Sequence, residues 1–309
     1  MNQKGILAVC LLALFGGPAS ADLADVVRES GVKGGIVVHL GCGDGRETAS
    51  MLLGPSYLVH GLDTDRENVA EARATIGDMG LYGPVSIAQF DGKTLPYGDN
   101  IVNLIVADAS NDVSIDEAMR VLTPLGALIV GGKTIAKPWP EAIDDWPQYL
   151  NKADNNAVAM DTVAGPPRHI QWVDKPTWCP SHMGIPTVAN LVTSNGRLFA
   201  IEDAAPPDNP FLPAAFRIVA RDAFNGKQLW QRTVVQAPLE TKNSLNSYAS
   251  GTSATDGRLV YVAFLEVDGS TELSRNTSRP RPITPGQIVV AAYDFDGNLA
   301  WKVRPGQFV

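Results

Sequence analysis

The sequence predicts two regions of different fold class: a doubly wound α/β domain with a mostly parallel sheet, then an all-β region. Residues 22–136 alternate short apolar runs with amphipathic stretches, as strands and helices do in a parallel sheet covered on both faces. Helical periodicity stops near residue 137, where β-type runs between Gly, Asn, Asp and Pro begin. Within this later region, an order of turn, strand and Trp occurs twice.

Length and composition fit a folded protein of two domains. The chain has 309 residues, of which 45% are hydrophobic and 19% are charged, as in ordinary globular proteins. The formal net charge is −8 and the sequence pI is about 5.0. This acidic balance argues against a general nucleic-acid binder, which normally has a basic face.

The first 21 residues have the three parts of a signal peptide in the right order. Lys4 provides a positive start, residues 6–15 form an apolar run, and residues 19–21 are a small-residue cleavage site. The apolar run is too short for a stable membrane span, so we expect no transmembrane segment. The sequence therefore predicts residues 1–21 to be removed and the protein to be exported, to the periplasm or cell surface.

Strands and helices alternate along the α/β domain. The predicted strands are residues 35–40, 57–62, 85–90, 101–107 and 127–130. The predicted helices are residues 25–30, 46–53, 68–79 and 115–122. Parallel strands place their carboxyl ends at one edge of the sheet, so residues that follow the strands are expected to form any ligand site.

A glycine-rich turn follows the first predicted strand and opens a helix. In it, Gly41, Gly43 and Gly45 alternate with Cys42 and an acid, and glycines let the backbone approach a ligand closely. Amide groups at the start of a helix can face ligand oxygens. Asp63 follows the second strand, 22 residues after Gly41, where a carboxylate can accept both hydroxyls of a ribose. Asp65, two residues on, is interpreted as a helix cap.

Residues 37–48 resemble the first motif of class I S-adenosylmethionine (SAM)-dependent methyltransferases. Residues 95–100 and 117–126 resemble later segments of methyltransferase-11-type members, so the resemblance covers about 100 residues. It implies a Rossmann-like fold that uses SAM, and it implies that Asp91, which precedes Gly92, binds the adenine amino group. The residues expected at the cofactor are Gly41, Cys42, Gly43, Gly45, Asp63, Asp91 and Gly92.

Two departures from the family pattern bear on activity. Leu125-Gly126 stands where the family has paired glycines, and the stretch at residues 108–113, which helps to form the acceptor site in the family, is short. No catalytic residue can be assigned, and Asp108 is the weak candidate for holding or deprotonating an acceptor. A nicotinamide-binding Rossmann unit would suit the glycine-to-acid spacing equally, but the later motifs favour the methyltransferase.

Repeated segments predict hairpins in the second region. Residues 195–199 resemble residues 256–261, and residues 218–230 resemble residues 290–301. Asn-Gly and Asp-Gly turns join adjacent strands because these residues tolerate positive φ. In each longer segment a Gly stands four residues before the closing Trp, which we expect to fill the wedge between neighbouring units. Trp172 is expected to close an earlier, partial unit.

Residues 144–172 resemble the start of PQQ-like (pyrroloquinoline quinone) β-propellers, and residues 293–301 resemble their repeat. The resemblance implies that residues 144–309 form incomplete, truncated PQQ-like propeller blades after a linker at residues 137–143. A propeller of this kind could bind a protein partner, in a fragment of a longer protein or in half of an oligomeric ring.

Bound quinone is not expected, because no set of metal-coordinating acid, Asn and catalytic Asp can be assigned. Asp203, Asp222 and Asp294 are interpreted as turn or repeat residues, and no metal site is expected at His169 or His182.

Three functions follow from these patterns. The first is a SAM-dependent methyltransferase with an unknown acceptor, attached to a PQQ-like propeller. Because SAM is a cytosolic metabolite, export favours a second hypothesis, a non-enzymatic interaction scaffold whose methyltransferase fold is degenerate. The third is a quinone-dependent dehydrogenase-like propeller. The sequence leaves open whether Cys42 and Cys179 form a disulfide.

Overall fold

The computed structural model describes residues 22–308 except 109, 155, 164, 167–168, 175–187, 189, 204–213, 239–250 and 274–281. The predicted signal peptide, Cys179 and His182 lie outside the described residues. Within the described part of the chain, no helix is both long and apolar enough to cross a membrane.

The first region forms one six-stranded sheet with helices on both faces. Its strands are β1 (Gly35–Leu40), β2 (Tyr57–Asp63), β3 (Val85–Gln89), β4 (Val102–Ala107), β5 (Leu122–Val130) and β6 (Lys133–Ala136). Its helices are α1 (Leu23–Glu29), α2 (Arg46–Ser50), α3 (Arg66–Asp78) and α4 (Ile115–Val121). The strand order is β3-β2-β1-β4-β5-β6. All neighbours from β3 to β5 are parallel, which confirms the mostly parallel sheet.

Both faces of this sheet are buried, which explains why its strands are continuous apolar runs. Val37 and Leu104 belong to the apolar cluster on the face that packs against α1, α2 and α3. Their neighbours Val38 and Ile105 belong to the cluster on the opposite face, with α4. Successive side chains of a strand point to opposite faces, so both must be apolar here.

The end of the domain differs from the prediction. β5 begins at Leu122 and not at residue 127, and the short antiparallel strand β6 was not predicted. Leu125, at the position of a family glycine, has a φ of 65° and is 52% exposed. A Cβ on Gly126 would lie 2.9 Å from the carbonyl oxygen of Thr123, so this second position requires a glycine. β6 lacks a recognisable pattern because three of its four residues are exposed.

The second region consists of antiparallel sheets, as expected for an all-β region. One four-stranded sheet has the order β10-β9-β8-β7 and another has the order β11-β12-β15-β16. Their strands, with the two-stranded sheet β13-β14, are β7 (Leu191–Ser194), β8 (Arg197–Asp203), β9 (Ala214–Asp222), β10 (Gln228–Ala237), β11 (Ala254–Thr255), β12 (Leu259–Val267), β13 (Glu272–Leu273), β14 (Pro282–Ile283), β15 (Gly286–Asp294) and β16 (Leu299–Phe308). In the first sheet, Asn195 and Gly196 join β7 to β8 with φ of 49° and 72°, as predicted for a two-residue hairpin.

The two four-stranded sheets share one apolar core. Phe216 of β9 and Phe264 of β12 stack with their ring centroids 5.3 Å apart. Phe199 of β8 lies 5.0 Å from Phe295, which follows β15. Aromatic pairs at these separations contribute beyond their buried area. The sheets therefore pack against each other through their side chains, with an aromatic centre.

Tryptophans join each unit to the next. Trp230 lies against Gly297, where an added Cβ would come within 2.7 Å of the indole. Its indole N–H donates a 2.8 Å hydrogen bond to the carbonyl of Phe295. Trp172 makes the same contact one unit earlier, against Gly226, and its indole N–H donates to a carbonyl of that turn. Trp230 therefore lies between two units, as predicted for a closing tryptophan. Trp301, the closing tryptophan of the other longer segment, is 41% exposed.

The acids at the start of these turns are structural. Asp222 accepts hydrogen bonds from the backbone N–H groups of Phe224 and Asn225 at 2.9 and 3.0 Å. Asp294 accepts from two backbone N–H groups of its own turn at 3.0 and 2.8 Å. The prediction that both are turn residues is confirmed.

The first antiparallel sheet contacts the starting edge of the parallel sheet. Asn103, the second residue of β4, donates a 2.6 Å hydrogen bond to Asp222 and accepts a 2.7 Å bond from Asn225. Asn225 also donates to the carbonyl of Ile101 at 2.9 Å. Asn103 and Asp222 are both buried. The second region is thus attached at the edge opposite to the carboxyl ends of the strands.

Candidate functional site

A hollow of about 220 Å³ opens at the carboxyl edge of the parallel sheet. It lies beyond the ends of β1, β2 and β4, where the sequence predicts a ligand site. The described residues that line it are Leu40, Gly41, Asp63, Thr64, Phe90, Gly92, Asp108, Ser110, Asn111 and Asp112. Six of them end a strand or come directly after one, so strand order alone brings them together.

The three glycines of the turn differ in their surroundings. All have positive φ: 86° at Gly41, 51° at Gly43 and 85° at Gly45. A Cβ on Gly41 or Gly43 would meet no atom within 4 Å, and Gly41 lines the hollow. A Cβ on Gly45 would lie 3.0 Å from the Cα of Ala72 on α3. Gly41 and Gly43 therefore leave open space, whereas Gly45 allows α3 to pack closely.

The amide groups of the turn are bonded within the protein. Gly41 N–H donates to the carbonyl of Leu62 at 2.8 Å, and Gly45 N–H donates to the carbonyl of Cys42 at 2.9 Å. Gly43 N–H donates to the carboxylate of Asp63 at 3.1 Å. In this structure all three amides are thus hydrogen-bonded within the protein, and Gly41 contributes open space to the hollow.

Asp63 is 7% exposed, and its carboxylate accepts three hydrogen bonds. Besides Gly43, the backbone N–H of Asp65 donates to it at 2.9 Å and the side chain of Asn68 at 3.3 Å. Each carboxylate oxygen has two lone pairs. Oδ2 accepts from Gly43 and Asn68 and Oδ1 accepts from Asp65, so Oδ1 can accept one further hydrogen bond. Asp65 caps α3 by accepting from Glu67 N–H at 2.7 Å, which confirms its predicted role. The structure therefore places Asp63 beside the glycine turn, with a fixed orientation.

Cys42 is 3% exposed and belongs to the apolar cluster between the sheet and α2 and α3. Burial, and after it the charge of Asp63, raises the pKa of its thiol to about 11. The thiol therefore stays protonated at neutral pH. Its side chain belongs to the core, and Cys42 is not among the residues that line the hollow.

In the loop after β3, the residues on either side of Asp91 line the hollow, and Asp91 itself does not. Phe90 and Gly92 are lining residues. The exposed carboxylate of Asp91 accepts from the backbone N–H groups of Lys93 and Thr94 at 2.8 and 2.7 Å. These two hydrogen bonds lower the pKa of Asp91. The acid expected at the adenine amino group is therefore bonded within its own loop in this structure.

Asp108 follows β4 and lines the hollow with an exposed carboxylate. Near it lies His39, which sequence reasoning missed. His39 is buried, and its Nδ1 is 2.8 Å from the hydroxyl of Thr48. Burial lowers the pKa of His39, although the charges of Asp108 and Asp63 oppose the shift. A polar residue inside the apolar run of β1, two positions before Gly41, was the signal that could have identified it.

The two later motifs contact each other. Arg120 donates to the carboxylate of Glu117 at 2.7 and 2.8 Å and to that of Asp99 at 2.8 Å. It also donates to the carbonyls of Leu95 and Tyr97 at 3.2 and 2.9 Å. Charge-assisted bonds of this kind are the stronger hydrogen bonds in proteins. These motifs therefore fix the loop before β4, and they do not line the hollow.

No group of three or more His, Cys, Asp or Glu side chains that could hold a metal ion occurs among the residues that the structure describes.

Comparisons with known proteins agree with this geometry. A family model described as a methyltransferase domain matches residues 37–126. None of the curated proteins compared matches the chain. A SAM-dependent methyltransferase from Aquifex aeolicus is 24% identical over 35% of this chain and 62% of its own, with a TM-score of 0.33. The cyclase SpnF is 30% identical over 35% of this chain and 43% of its own, with a TM-score of 0.32.

The match thus spans about half the length of these solved structures. The segment that builds the hollow lies within residues 37–126, which match the family model of a methyltransferase domain.

Proposed function

We propose that the first domain binds SAM in the hollow at the carboxyl edge of its sheet and transfers the methyl group to an acceptor. The observation that carries this proposal is the bond from Gly43 N–H to the buried carboxylate of Asp63, beside open space. This bond fixes an acceptor of hydroxyl hydrogen bonds at the distance from the glycine turn that an adenosyl group requires.

Bound SAM would supply an electrophilic methyl group on a positively charged sulfur. Asp63 would accept a ribose hydroxyl through Oδ1, and Gly41 would leave room for the ligand because a side chain there would occupy the hollow. Phe90 and Gly92 would flank the adenine. Asp108 at the rim would hold the acceptor, which is the role that its exposed carboxylate permits. Methyl transfer depends mainly on orientation of the two reactants and on exclusion of water.

The volume of the hollow bears on affinity. At about 220 Å³ it is below the roughly 300–1,000 Å³ of pockets that enclose a ligand of this size. A SAM molecule would therefore be partly exposed in this conformation. We expect weak binding in the absence of an acceptor that covers the open side.

Calorimetric titration of the full chain with SAM tests the proposal. Asp63→Asn keeps the shape of the side chain but removes the charge and one acceptor, so we expect at least about tenfold weaker binding. Asp65→Asn is the matched control, since Asn caps a helix as well as Asp does. No binding of SAM by the unaltered chain at about 1 mM, with the fold intact, would contradict the proposal and favour the interaction scaffold.

For the second region we propose blades of a PQQ-like β-propeller that binds a protein partner. Two four-stranded antiparallel meanders in face contact, with a Trp from one unit on the Gly turn of the next, support this arrangement. Trp301 stands at the corresponding place in the last unit and is 41% exposed. An experimental structure of the chain tests it: sheets set around a common axis are expected, and a closed two-sheet sandwich would contradict it.

The cellular location stays a prediction. The proposed export depends on residues 1–21 and is tested by N-terminal sequencing of the protein from a secreting host, with a start near Asp22 expected.

A further inference from the structure

A second and larger cavity, of about 810 Å³, lies between the methyltransferase domain and both antiparallel sheets. Its lining comes from Lys33 and residues 55–56 of the first region, and from Asp174, Arg197, residues 227–232 and residues 295, 296 and 298 of the second. The volume falls within the range of about 300–1,000 Å³ that is typical of small-molecule sites. It is remote from the hollow described above, since the two have no lining residue in common.

Positive charge is concentrated on this cavity although the protein is acidic overall. Four cationic side chains line it, from both regions of the chain: Lys33, Arg197, Lys227 and Arg232. Two acids also line it, and one of them, Asp174, forms an ion pair with Arg221. The formal net charge of the chain is −8, so this local excess of positive charge runs against the composition. Four cations against two acids leave a net charge of +2 on the lining, which favours anionic ligands.

The two arginines that line the cavity, Arg197 and Arg232, are placed where they can contact an anion. Arg197 is half-buried, and the charges of Asp222 and Asp296 act on its guanidinium. Arg232 is held in place by hydrogen bonds to the carbonyls of Gly297 and Gln231, both at 2.8 Å. Its guanidinium also lies 5.7 Å from the ring centroid of Trp230. Guanidinium groups match carboxylate and phosphate oxygens in pairs.

We infer that this cavity binds a small organic anion with at least two carboxylate or phosphate groups. Arg197 would contact one group and Lys227 and Arg232 another, with Lys33 closing the side of the methyltransferase domain. The ligand would bridge the two regions of the chain. This inference is independent of SAM binding, because it uses none of the residues of the first hollow.

Calorimetric titration of the full chain at low ionic strength tests the inference, with citrate and pyrophosphate as probes. We expect at least one of them to bind with a Kd below about 1 mM, and the better probe shows whether carboxylate or phosphate is preferred. Lys227→Gln and Arg197→Gln should each raise the Kd by about tenfold or more. Lys33 is exposed, so Lys33→Gln should not disturb the fold. It replaces Arg197→Gln in the titration if that variant does not fold.

The matched control is Arg258→Gln, which removes the same charge from an exposed turn away from the cavity. The Kd of this variant for citrate or pyrophosphate should equal that of the unaltered chain. Three outcomes would overturn the inference: no binding of either probe up to about 10 mM, equal weakening in Arg258→Gln, or binding of an oligoglutamate peptide but of neither small anion. The last outcome would assign the cavity to an acidic protein segment instead.

Discussion

The side-chain amide of Asn103 donates a 2.6 Å hydrogen bond to the carboxylate of Asp222, which stands 119 positions later in the chain. Both residues are buried, and the oxygen of the same amide accepts from Ile36 N–H at 2.8 Å. One side chain at the start of β4 therefore connects the parallel sheet to the first antiparallel sheet. A buried polar group of this kind stabilises the structure only while all its partners are present.

Replacement of this amide should weaken the whole chain. Asn103→Ala leaves Ile36 N–H and the Asp222 carboxylate without their partner, so we expect the free energy of unfolding to fall by about 2–4 kcal/mol. Urea denaturation followed by circular dichroism measures the change. Asn156→Ala, at an exposed position, is the control and should stay within about 0.5 kcal/mol of the unaltered chain. Equal stability of both variants would show that this contact is dispensable.

A pair of glycine variants isolates the tryptophan contact. Gly297 and Gly132 have similar φ, 81° and 73°, but only a Cβ on Gly297 meets an indole, that of Trp230 at 2.7 Å. Both variants to Ala carry the cost of a left-handed residue, about 1–2 kcal/mol. Gly297→Ala should lose a further 1–3 kcal/mol of unfolding free energy through overpacking. If thermal or urea unfolding gives the same loss for both, Trp230 does not fix the two sheets.

A second glycine pair separates binding from folding in the proposed SAM site. Gly41 and Gly45 have nearly the same φ, but only Gly45 lies against Ala72. Gly45→Ala should therefore lower the free energy of unfolding by about 1–3 kcal/mol more than Gly41→Ala. Gly41→Ala should fold and yet bind SAM at least about tenfold more weakly, because its methyl group enters the hollow. Calorimetry and urea unfolding of both variants measure the two effects; unchanged SAM binding by Gly41→Ala would place the ligand elsewhere.

Stability at alkaline pH should depend on Cys42. The pKa of this thiol is about 11 in the folded protein, above the value of about 8.5 of an unfolded chain. The unfolded state therefore loses the proton first, so the contribution is complete below about pH 8.5 and is lost as the pH rises toward 11. The free energy of unfolding should drop more between pH 8 and pH 10.5 for the unaltered chain than for Cys42→Ala. Parallel drops would mean that the thiol does not titrate differently on folding.

The strands and helices of the parallel sheet could be predicted because each has a local pattern. β1 is a continuous apolar run that ends in glycines, and β1 occupies the predicted residues 35–40. The position of Asp63 at the tip of β2 also follows from the sequence, since it depends on strand order and on one spacing. For the same reason the glycine turn and this acid were expected to meet, and they do.

Other features depend on contacts that leave no local pattern. Asp91 was expected to bind a ligand. A carboxylate at the start of a loop can equally accept hydrogen bonds from the backbone N–H groups that follow it, and here Lys93 and Thr94 donate them. β6 is exposed and short, so its pairing with β5 decides its conformation. The bond between Asn103 and Asp222 joins residues of separate regions, and neither residue differs locally from an ordinary polar residue.

The second region attaches at the end of the parallel sheet that lies opposite to the hollow. Every described residue along that hollow belongs to residues 40–112, and the antiparallel sheets meet the far ends of the same strands. From Asn103 to Asp108, β4 crosses the domain over about 16 Å. None of the described residues of the antiparallel sheets lines the hollow. A change at the junction therefore has to pass through the body of the parallel sheet before it reaches the hollow.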